Sequence, residues 1–267
     1  MTQEKRPHDR ATEDRKLLRT APYADAAFRD SDAWRALRIM GEFVEGFDSL
    51  AELGPAVTIF GSARVTPRDR VYKAAEQLGA KLAHKGITVI TGGGPGVMEA
   101  ANKGAMQAGG VSVGLGVELP HEQSVNEWCT LALNFRYFFV RKTMFVKYAQ
   151  GFVIYPGGFG TFDELFESLT LVQTGKIDHF PVILFGKSYW EPLVRWLEKP
   201  VAQQHMIAPG DLGLFRLTDD NDEVMAWLEQ SFAEAKADQV AIANSPRGEE
   251  HAEAEAEKRE QRHKSPE

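Results

Sequence analysis

The feature that most constrains this chain is an alternation of short apolar runs with longer segments of helical period, between about residues 55 and 236. The runs are continuously apolar, which is typical of strands covered on both faces. Strand–helix alternation of this kind predicts a parallel sheet. We therefore expect a single doubly wound, Rossmann-like α/β domain, with a mainly parallel sheet and helices on both faces. The clearest runs are Ala56–Phe60, Ile87–Ile90, Val111–Leu115, Phe152–Tyr155 and Pro181–Phe185, with weaker ones at 128–133 and 214–217.

Three further segments flank this domain, which we place at residues 55–236. Residues 1–30 are rich in charge and poor in large apolar side chains, and we expect a charged tail there. Residues 31–54 carry apolar side chains at helical spacing, with Ser31 as a candidate N-cap, and predict a helix. Residues 237–267 are expected to be a disordered, charged tail, because residues 245–267 contain no Leu, Ile, Val or aromatic side chain.

Composition excludes several classes of protein. The 267 residues carry a net charge of −7, which argues against a general binder of nucleic acid or anionic membranes. The single cysteine, Cys129, excludes an intrachain disulfide and a zinc knuckle. No apolar run reaches the roughly 18 residues that a membrane span needs, and the charged N-terminus lacks the apolar region of a secretory signal. We expect a cytoplasmic protein without a metal or cofactor.

Two glycine-rich loops lie between a predicted strand and a predicted helix, at residues 92–96 and 156–161. Glycines at such a turn let backbone N–H groups approach an anion, and the helix dipole favours it. One such loop alone is as easily a tight turn, but two in one sheet favour a phosphate-containing ligand. Thr161 is expected to cap its helix. Neither loop has the usual G-x-G-x-x-G spacing with a following acidic residue, so an NAD enzyme is disfavoured.

Charged residues near these loops are candidates for chemistry. Arg141 and Lys142 interrupt an apolar helix, and they either reach towards water or face the bound anion. Asp163 and Glu164 follow the second loop, and Glu99 follows the first. Each of these carboxylates either complements a helix dipole or contacts the sugar or a water at a nucleotide.

Three other residues are weaker candidates. His121 and Glu122 follow the third strand, and they either line the cleft or lie on a surface loop. Cys129 has no histidine partner nearby in sequence and is expected to be a buried small residue.

Together, residues 92–100 and the Pro-Gly-Gly-Phe-Gly-Thr-Phe-Asp-Glu segment at 156–164 resemble the Lonely guy family. Members of that family are nucleoside 5′-monophosphate phosphoribohydrolases that activate cytokinins, and many carry a lysine decarboxylase label. The resemblance covers roughly residues 55–235, and its most specific part is P-G-G-x-G-T-x-x-E. The form of residues 92–102, the long loop at 119–126 and the extra N-terminal helix resemble the longer bacterial branch.

The resemblance implies hydrolysis of the N-glycosidic bond of adenosine-type nucleoside 5′-monophosphates, with release of the free base and ribose 5-phosphate. It implies that Arg141 and Glu164 are catalytic. The loop following the first strand, with Ser62 and Arg64, is expected to approach the ligand. The candidate substrate-binding residues, from the loops and the resemblance together, are Ser62, Gly93, Gly94, Gly96, Met98, Glu122, Lys142, Gly157, Gly158, Phe159, Gly160, Thr161, Asp163 and Thr170.

Alternatives remain at the level of function and assembly. The same fold family includes nucleotide sensors and a molybdenum-cofactor carrier, so a non-catalytic binding protein is the second hypothesis. A pyridoxal-phosphate decarboxylase is disfavoured, because no lysine stands in an evident cofactor loop. The aromatic helix at 135–150 is either a core helix or a homodimer interface, and the resemblance implies a dimer. The preferred base stays open, with Met98, Trp128 and Phe159 as candidate determinants.

Overall fold

In the computed structural model, described over residues 12–18, 32–119, 124–178 and 180–243, the apolar runs form one sheet of seven parallel strands. The prediction of a doubly wound α/β fold is confirmed. The strands are β1 Ala56–Phe60, β2 Thr88–Thr91, β3 Ser112–Val117, β4 Leu131–Phe135, β5 Phe152–Ile154, β6 Val182–Phe185 and β7 Phe215–Thr218. Their order in the sheet is β4-β3-β2-β1-β5-β6-β7.

Helices cover both faces of the sheet. They are α1 Glu13–Leu17, α2 Asp32–Leu50, α3 Arg70–His84, α4 Val97–Gln107, α5 Phe138–Tyr148, α6 Phe159–Gln173, α7 Lys187–Trp196 and α8 Asn221–Ala243, with short helical turns at Leu197–Val201 and Pro209–Gly213. One core lies under α3, α4 and α8, and the other lies under α2, α5, α6 and α7. None of the described helices is long and apolar enough to cross a membrane.

Continuous hydrophobicity of the strands follows from this double cover. In β1, Val57 and Ile59 face one core, while Ala56 and Phe60 face the other. Successive side chains of a strand point to opposite faces, so a strand buried on both sides has no position left for a polar pattern. Thr58 is the polar residue of this strand, and it is buried as well; its hydroxyl donates to the carbonyl of Phe145 at 3.5 Å.

The order of the strands reverses at the centre of the sheet: β2 to β4 lie on one side of β1, and β5 to β7 lie on the other. β1 pairs with β2 on one side and with β5 on the other, so the loops that follow β1 and β5 diverge to opposite faces. A crevice forms beyond the carboxyl ends of the strands at such a switch point, and this is where doubly wound proteins bind ligands.

Two predicted boundaries differ from the structure. Within the segment predicted as an N-terminal tail, Glu13–Leu17 forms a helix, and Leu17 packs against the core. At the other end, α8 continues to Ala243, beyond the predicted boundary at residue 236. Ala233, Ala235 and Ala237 are strong helix formers, which explains why this helix runs on past the last buried residues.

Helix α2 confirms the helix predicted in 31–54, but its orientation was unexpected. Its buried face carries Arg35 and Glu42, whereas Leu37, Met40 and Val44 are each more than half exposed. The predicted N-cap Ser31 lies outside the described residues. An apolar stripe that faces away from the sheet is typical of a surface that contacts something else.

Candidate active site

The crevice at the switch point is a cleft of about 850 Å³, a size that suits a nucleotide. It lies between the loop after β1, the loop after β5 and the helix α5. Its walls are formed by Phe60, Gly61, Ser62, Ala63, Arg64, Val65, Gly92, Met98, Phe138, Arg141, Phe145, Pro156, Gly157, Gly158, Phe159, Gly160, Thr161, Phe162, Asp163, Glu164 and Tyr189.

The second glycine-rich loop, residues 156–161, contributes its whole length to this wall. Helix α6 begins at Phe159 rather than near Phe162, so half of the loop is the first helical turn. Among the described residues no side chain caps the N–H groups of that turn, which leaves them for a ligand. The prediction that Thr161 caps the helix is therefore wrong. A side chain at Gly157 would collide with the Thr161 hydroxyl, which accounts for the glycine there.

Neighbouring segments hold the carbonyl groups of this loop. The Tyr189 hydroxyl donates to the Gly157 carbonyl at 2.5 Å, and the Ser62 N–H donates to the Pro156 carbonyl at 2.9 Å. Two carbonyl oxygens of the loop are thus engaged within the protein, and the first residues of α6 form part of the cleft wall. Backbone N–H groups at a helix start suit an anion.

The first glycine-rich loop, residues 92–96, is built differently. The Gly93 N–H donates to the Thr91 hydroxyl at 2.9 Å, and the Gly93 carbonyl accepts from the Asn126 N–H at 2.7 Å. The Gly94 carbonyl accepts from the Asn126 side-chain amide at 3.1 Å. Of the substrate-binding residues predicted here, Gly93, Gly94 and Gly96 do not line the cleft, and Met98 does.

Glycines of the first loop instead allow close packing. Gly93 has φ of +69°, and a methyl group there would lie 2.8 Å from Val125. A methyl group on Gly94 would lie 2.7 Å from the side chain of Met98, and one on Gly96 would collide with the Ser62 carbonyl. That carbonyl also accepts the Val97 N–H at the start of α4, at 3.0 Å. Two backbone donors of this segment, the N–H groups of Gly93 and Val97, are thus used within the protein.

Ser62 and Arg64, which follow β1, lie in the cleft as the sequence suggested. The Ser62 hydroxyl accepts the Arg64 N–H at 3.1 Å, and the Arg64 side chain is exposed at the rim. Arg64 is a second arginine in the lining of the cleft, besides Arg141.

Glu164 is the buried carboxylate of the site, with only 5% of its surface exposed. Burial raises its pKa from the ordinary value to about 7, although Lys142 and Arg141 act in the opposite direction. Asp163 and Glu167 add to the rise by repulsion. A carboxylate with a pKa near neutrality in a cleft is typical of a functional site.

Arg141 enters the cleft from α5, between two aromatic rings. Its guanidinium carbon lies 4.8 Å from the Phe138 ring centroid and 5.4 Å from that of Phe145. Burial lowers its pKa, while Glu164 and Asp14 oppose the change. Its Nε is buried and has no hydrogen-bond partner within the described parts of the chain. Of the two sequence alternatives, the geometry favours a cation facing the cleft.

Lys142 lies on the neighbouring side of α5 and does not line the cleft. Its ammonium pairs with Asp163 at 3.0 Å and with Glu167 at 2.6 Å. Burial opposes its charge, but these two hydrogen bonds prevail and raise the pKa of Lys142. Together with Thr170 it lines a second groove of about 500 Å³, which shares Asp163, Phe159 and Phe162 with the cleft. The Thr170 hydroxyl donates to the Phe166 carbonyl at 2.7 Å.

The remaining candidates are placed outside the cleft or outside the described residues. Glu99 accepts a hydrogen bond from the Tyr72 hydroxyl at 2.8 Å and holds α3 against α4. Cys129 is half-buried, and burial raises the pKa of its thiol to about 11, so it is not a thiolate nucleophile. Glu122 and His121 fall among residues 120–123, outside the described part of the chain.

Two contributors to the site were missed from the sequence. Tyr189 lies 32 residues after the loop carbonyl that it binds, and the N–H of Phe138 at the start of α5 donates to Asp14 from the predicted tail. Only a long-range contact reveals either one. No local spacing in the sequence carries that information.

Comparison with known proteins places this site in a family. A family model described as "Possible lysine decarboxylase" matches residues 98–228. An Oryza sativa protein named as a probable cytokinin riboside 5′-monophosphate phosphoribohydrolase is 32% identical over 187 residues, which are 67% of this chain and 80% of that protein. This chain belongs to the Lonely guy family. A Rhodococcoides fascians relative, named as a cytokinin riboside 5′-monophosphate phosphoribohydrolase, is 26% identical over 162 residues, 54% of this chain and 81% of its own.

Solved structures agree on the fold. The crystal structure of TM1055, a structural genomics target, has a TM-score of 0.51 at 23% identity and covers 66% of this Lonely guy protein and 99% of its own chain. A molybdenum cofactor carrier protein of Chlamydomonas has a TM-score of 0.50 at 22% identity, over 67% of this chain and 98% of its own. At these identities the likeness bears on the fold alone.

Proposed function

We propose that the protein hydrolyses the N-glycosidic bond of adenosine-type nucleoside 5′-monophosphates, cytokinin nucleotides among them, and releases the free base and ribose 5-phosphate. The observation that carries this proposal is the buried Glu164 carboxylate, with a pKa of about 7, one turn into a helix whose uncapped N-terminus lines the same cleft. The naming of relatives in the family as phosphoribohydrolases supports the assignment.

In this reaction the phosphate binds the N–H groups of Gly157–Thr161 and the start of α6. This contact holds the substrate by its non-reacting end and positions the anomeric carbon of the ribose. The ionised Glu164 holds a ribose hydroxyl or the attacking water and stabilises the positive charge that develops on the ribose. Arg141 lies near the base or the phosphate and assists departure of the base.

The bonds broken and formed in this hydrolysis are balanced by water alone, without a cofactor. The bond between C1′ and the base nitrogen breaks, and its electron pair leaves with the base. A water oxygen forms a new bond to C1′, one of its protons goes to the base, and the other stays on the new hydroxyl. Glu164, with a pKa near neutrality, is suited to relay such a proton.

The alternative activity in the description of the family model, lysine decarboxylation, does not suit this site. Such an enzyme needs a lysine that forms a Schiff base as the free amine. No lysine among the described residues lines the cleft, and nearby Lys142 is held as an ammonium by Asp163 and Glu167.

We propose further that the protein works as a homodimer. The support is apolar surface on neighbouring helices: Leu37, Met40 and Val44 of α2 are exposed, and Phe138 and Phe139 of α5 are 38% and 40% exposed. A monomeric mass by light scattering at micromolar concentration would reject this assembly.

A chromatographic assay tests the activity. Purified protein is incubated with AMP or with isopentenyladenosine 5′-monophosphate, and the free base is measured. We expect base release that is lost in Arg141→Ala and in Glu164→Ala, and the two rates rank the substrates. Tight nucleotide binding by calorimetry without base release would overturn the enzyme and favour a non-catalytic carrier or sensor of the same fold.

A further inference from the structure

The start of helix α5 is held by carboxylates that come from outside the Rossmann-like domain. A helix leaves its first N–H groups without partners, and a Ser, Thr, Asp or Asn at the N-cap usually binds one. Here the N-cap is Tyr137, which makes no such bond. Glu42 of α2 accepts the Arg136 N–H at 3.1 Å, and Asp14 of α1 accepts the Phe138 N–H at 3.1 Å.

This helix start determines where Arg141 lies. Arg141 is one turn after Phe138, and its guanidinium packs on the Phe138 ring. The Nε atom has no hydrogen bond within the described residues, so packing and charge hold the side chain in place. A shift of the first turn of α5 would move both the ring and the guanidinium that it supports.

Asp14 also acts on Arg141 through charge. The acidic groups that act on the guanidinium are Glu164, Asp163 and Asp14, and the first two belong to α6 on the cleft wall. Asp14 comes from α1 and does not line the cleft. It therefore stabilises the cation without occupying the space of a ligand.

Helix α1 is anchored firmly enough for this role. The Glu13 N–H donates to the Glu118 carboxylate at 3.3 Å, and the Glu13 carboxylate pairs with Lys16 at 2.7 Å and with Arg38 at 3.1 Å. Glu13 is buried, and Leu17 packs against the core. These contacts bring Asp14 back to a point 124 residues further along the chain.

We propose that Asp14 is a positioning residue for Arg141, which makes the N-terminal helix a working part of the active site. This proposal rests on the proposed function, in which Arg141 acts on the bound nucleotide. Asp14 touches no substrate. It binds the first turn of α5 and stabilises the positive charge of Arg141.

The test compares Asp14→Ala and Asp14→Asn with a control, Glu127→Ala, which removes an exposed carboxylate from the segment before β4. We expect Asp14→Ala to lower kcat/KM about tenfold, since small misplacements of catalytic groups have large effects on rate. Asp14→Asn keeps an oxygen that can accept the Phe138 N–H but loses the charge that acts on Arg141, so it should recover part of the loss. Asparagine that recovers nothing, or alanine with wild-type kinetics, would overturn the proposal.

A double-mutant cycle separates positioning from a general loss of stability. If Asp14 acts through Arg141, then Asp14→Ala has less than a twofold further effect on the residual kcat/KM of an Arg141→Ala background, measured at high enzyme concentration. A full tenfold effect in both backgrounds would mean that Asp14 acts elsewhere. Thermal unfolding of each variant confirms that the assays are made on folded protein.

Binding of ribose 5-phosphate, measured by calorimetry, repeats the same cycle without any turnover. It therefore distinguishes failure of this proposal from failure of the proposed function. A wild-type protein that releases no base from AMP rejects the function. Coupling between Asp14 and Arg141 in ribose 5-phosphate affinity would still support the positioning role, and additive losses would reject it.

Discussion

The two glycine-rich loops follow β2 and β5, the strands on either side of β1, and both lead into helices, yet they lie differently relative to the cleft. The 156–161 loop lines the cleft along its whole length, and Tyr189 and the Ser62 N–H hold the carbonyls of Gly157 and Pro156. Of residues 92–96, Gly92 lines the cleft and the other glycines do not; the Gly93 N–H is bound by Thr91, and the carbonyls of Gly93 and Gly94 are bound by Asn126. Within the described part of the chain, both loops lead into a helix without a side-chain cap, so glycine content and capping do not distinguish them. What distinguishes them is which loop lies along the cleft.

A matched pair of carboxylates gives the largest expected contrast. Glu164 follows the second loop and Glu99 follows the first, each near the start of its helix. We expect Glu164→Gln to lower kcat for base release by about 10³-fold, since an amide cannot stabilise the charge on the ribose. Glu99→Gln should keep turnover within about twofold while losing about 1 kcal/mol of stability at the Tyr72 contact. The assay is base release under saturating AMP, with urea unfolding alongside. Similar rate losses in both variants would remove the distinction between the loops.

The pH dependence of stability sharpens the contrast at the second loop. Burial raises the pKa of Glu164 to about 7, so its ionisation destabilises the fold. Its contribution to the free energy of unfolding is fully present below the ordinary glutamate pKa, and it is lost as pH rises through about 7. Glu164→Gln should therefore be more stable than the wild type by roughly 2 kcal/mol at pH 8, and equal to it near pH 4. Urea unfolding at the two pH values measures the difference.

Over the same pH range, catalytic activity should rise while the free energy of unfolding falls. The proposed role needs the ionised carboxylate, so kcat/KM should rise with pH up to about 7. Activity that falls as pH rises from 5 to 7 would instead assign Glu164 as an acid.

Alanine substitutions on each loop test which loop serves binding and which serves packing. Gly93 has φ of +69° and faces Val125, so Gly93→Ala should lower stability by about 1–3 kcal/mol. Gly158 has ordinary φ and open space around its Cβ position, so Gly158→Ala should fold normally. A methyl group in the loop that receives the phosphate should still weaken ribose 5-phosphate binding about tenfold. Calorimetry and urea unfolding on both variants measure these effects. Weaker ribose 5-phosphate binding in Gly93→Ala together with lower stability in Gly158→Ala would contradict the expectation.

The smallest expected effect concerns Phe159, which is 95% exposed and lies where the cleft meets the second groove. An exposed ring beside a nucleotide site can stack on a base. Phe159→Ala should raise the KM for AMP about fivefold and leave kcat unchanged. Stacking on the base stabilises the bound substrate and the transition state equally, so its loss weakens binding without slowing the chemical step. Its unfolding free energy should stay within about 0.5 kcal/mol of the wild type. An unchanged KM would mean that the base contacts another part of the cleft wall and does not stack on Phe159.

Local patterns predicted the sheet and both loops because these depend on neighbouring residues. Apolar runs, helical periods and glycines at strand ends are all read within about ten positions. The assignment of Lys142 as a ligand contact remains a prediction, since the structure places its ammonium between Asp163 and Glu167. That pairing, the engagement of the first loop by Asn126 and the return of Asp14 to α5 depend on the tertiary fold, where local spacing carries no signal.

We expect the second loop alone to receive the phosphate, and a crystal structure with bound ribose 5-phosphate would show which loop does so. Phosphate oxygens should lie about 3 Å from the N–H groups of Gly157–Thr161, with the ribose directed towards Glu164 and Arg141. A phosphate seated on residues 92–96, with the second loop empty, would contradict it.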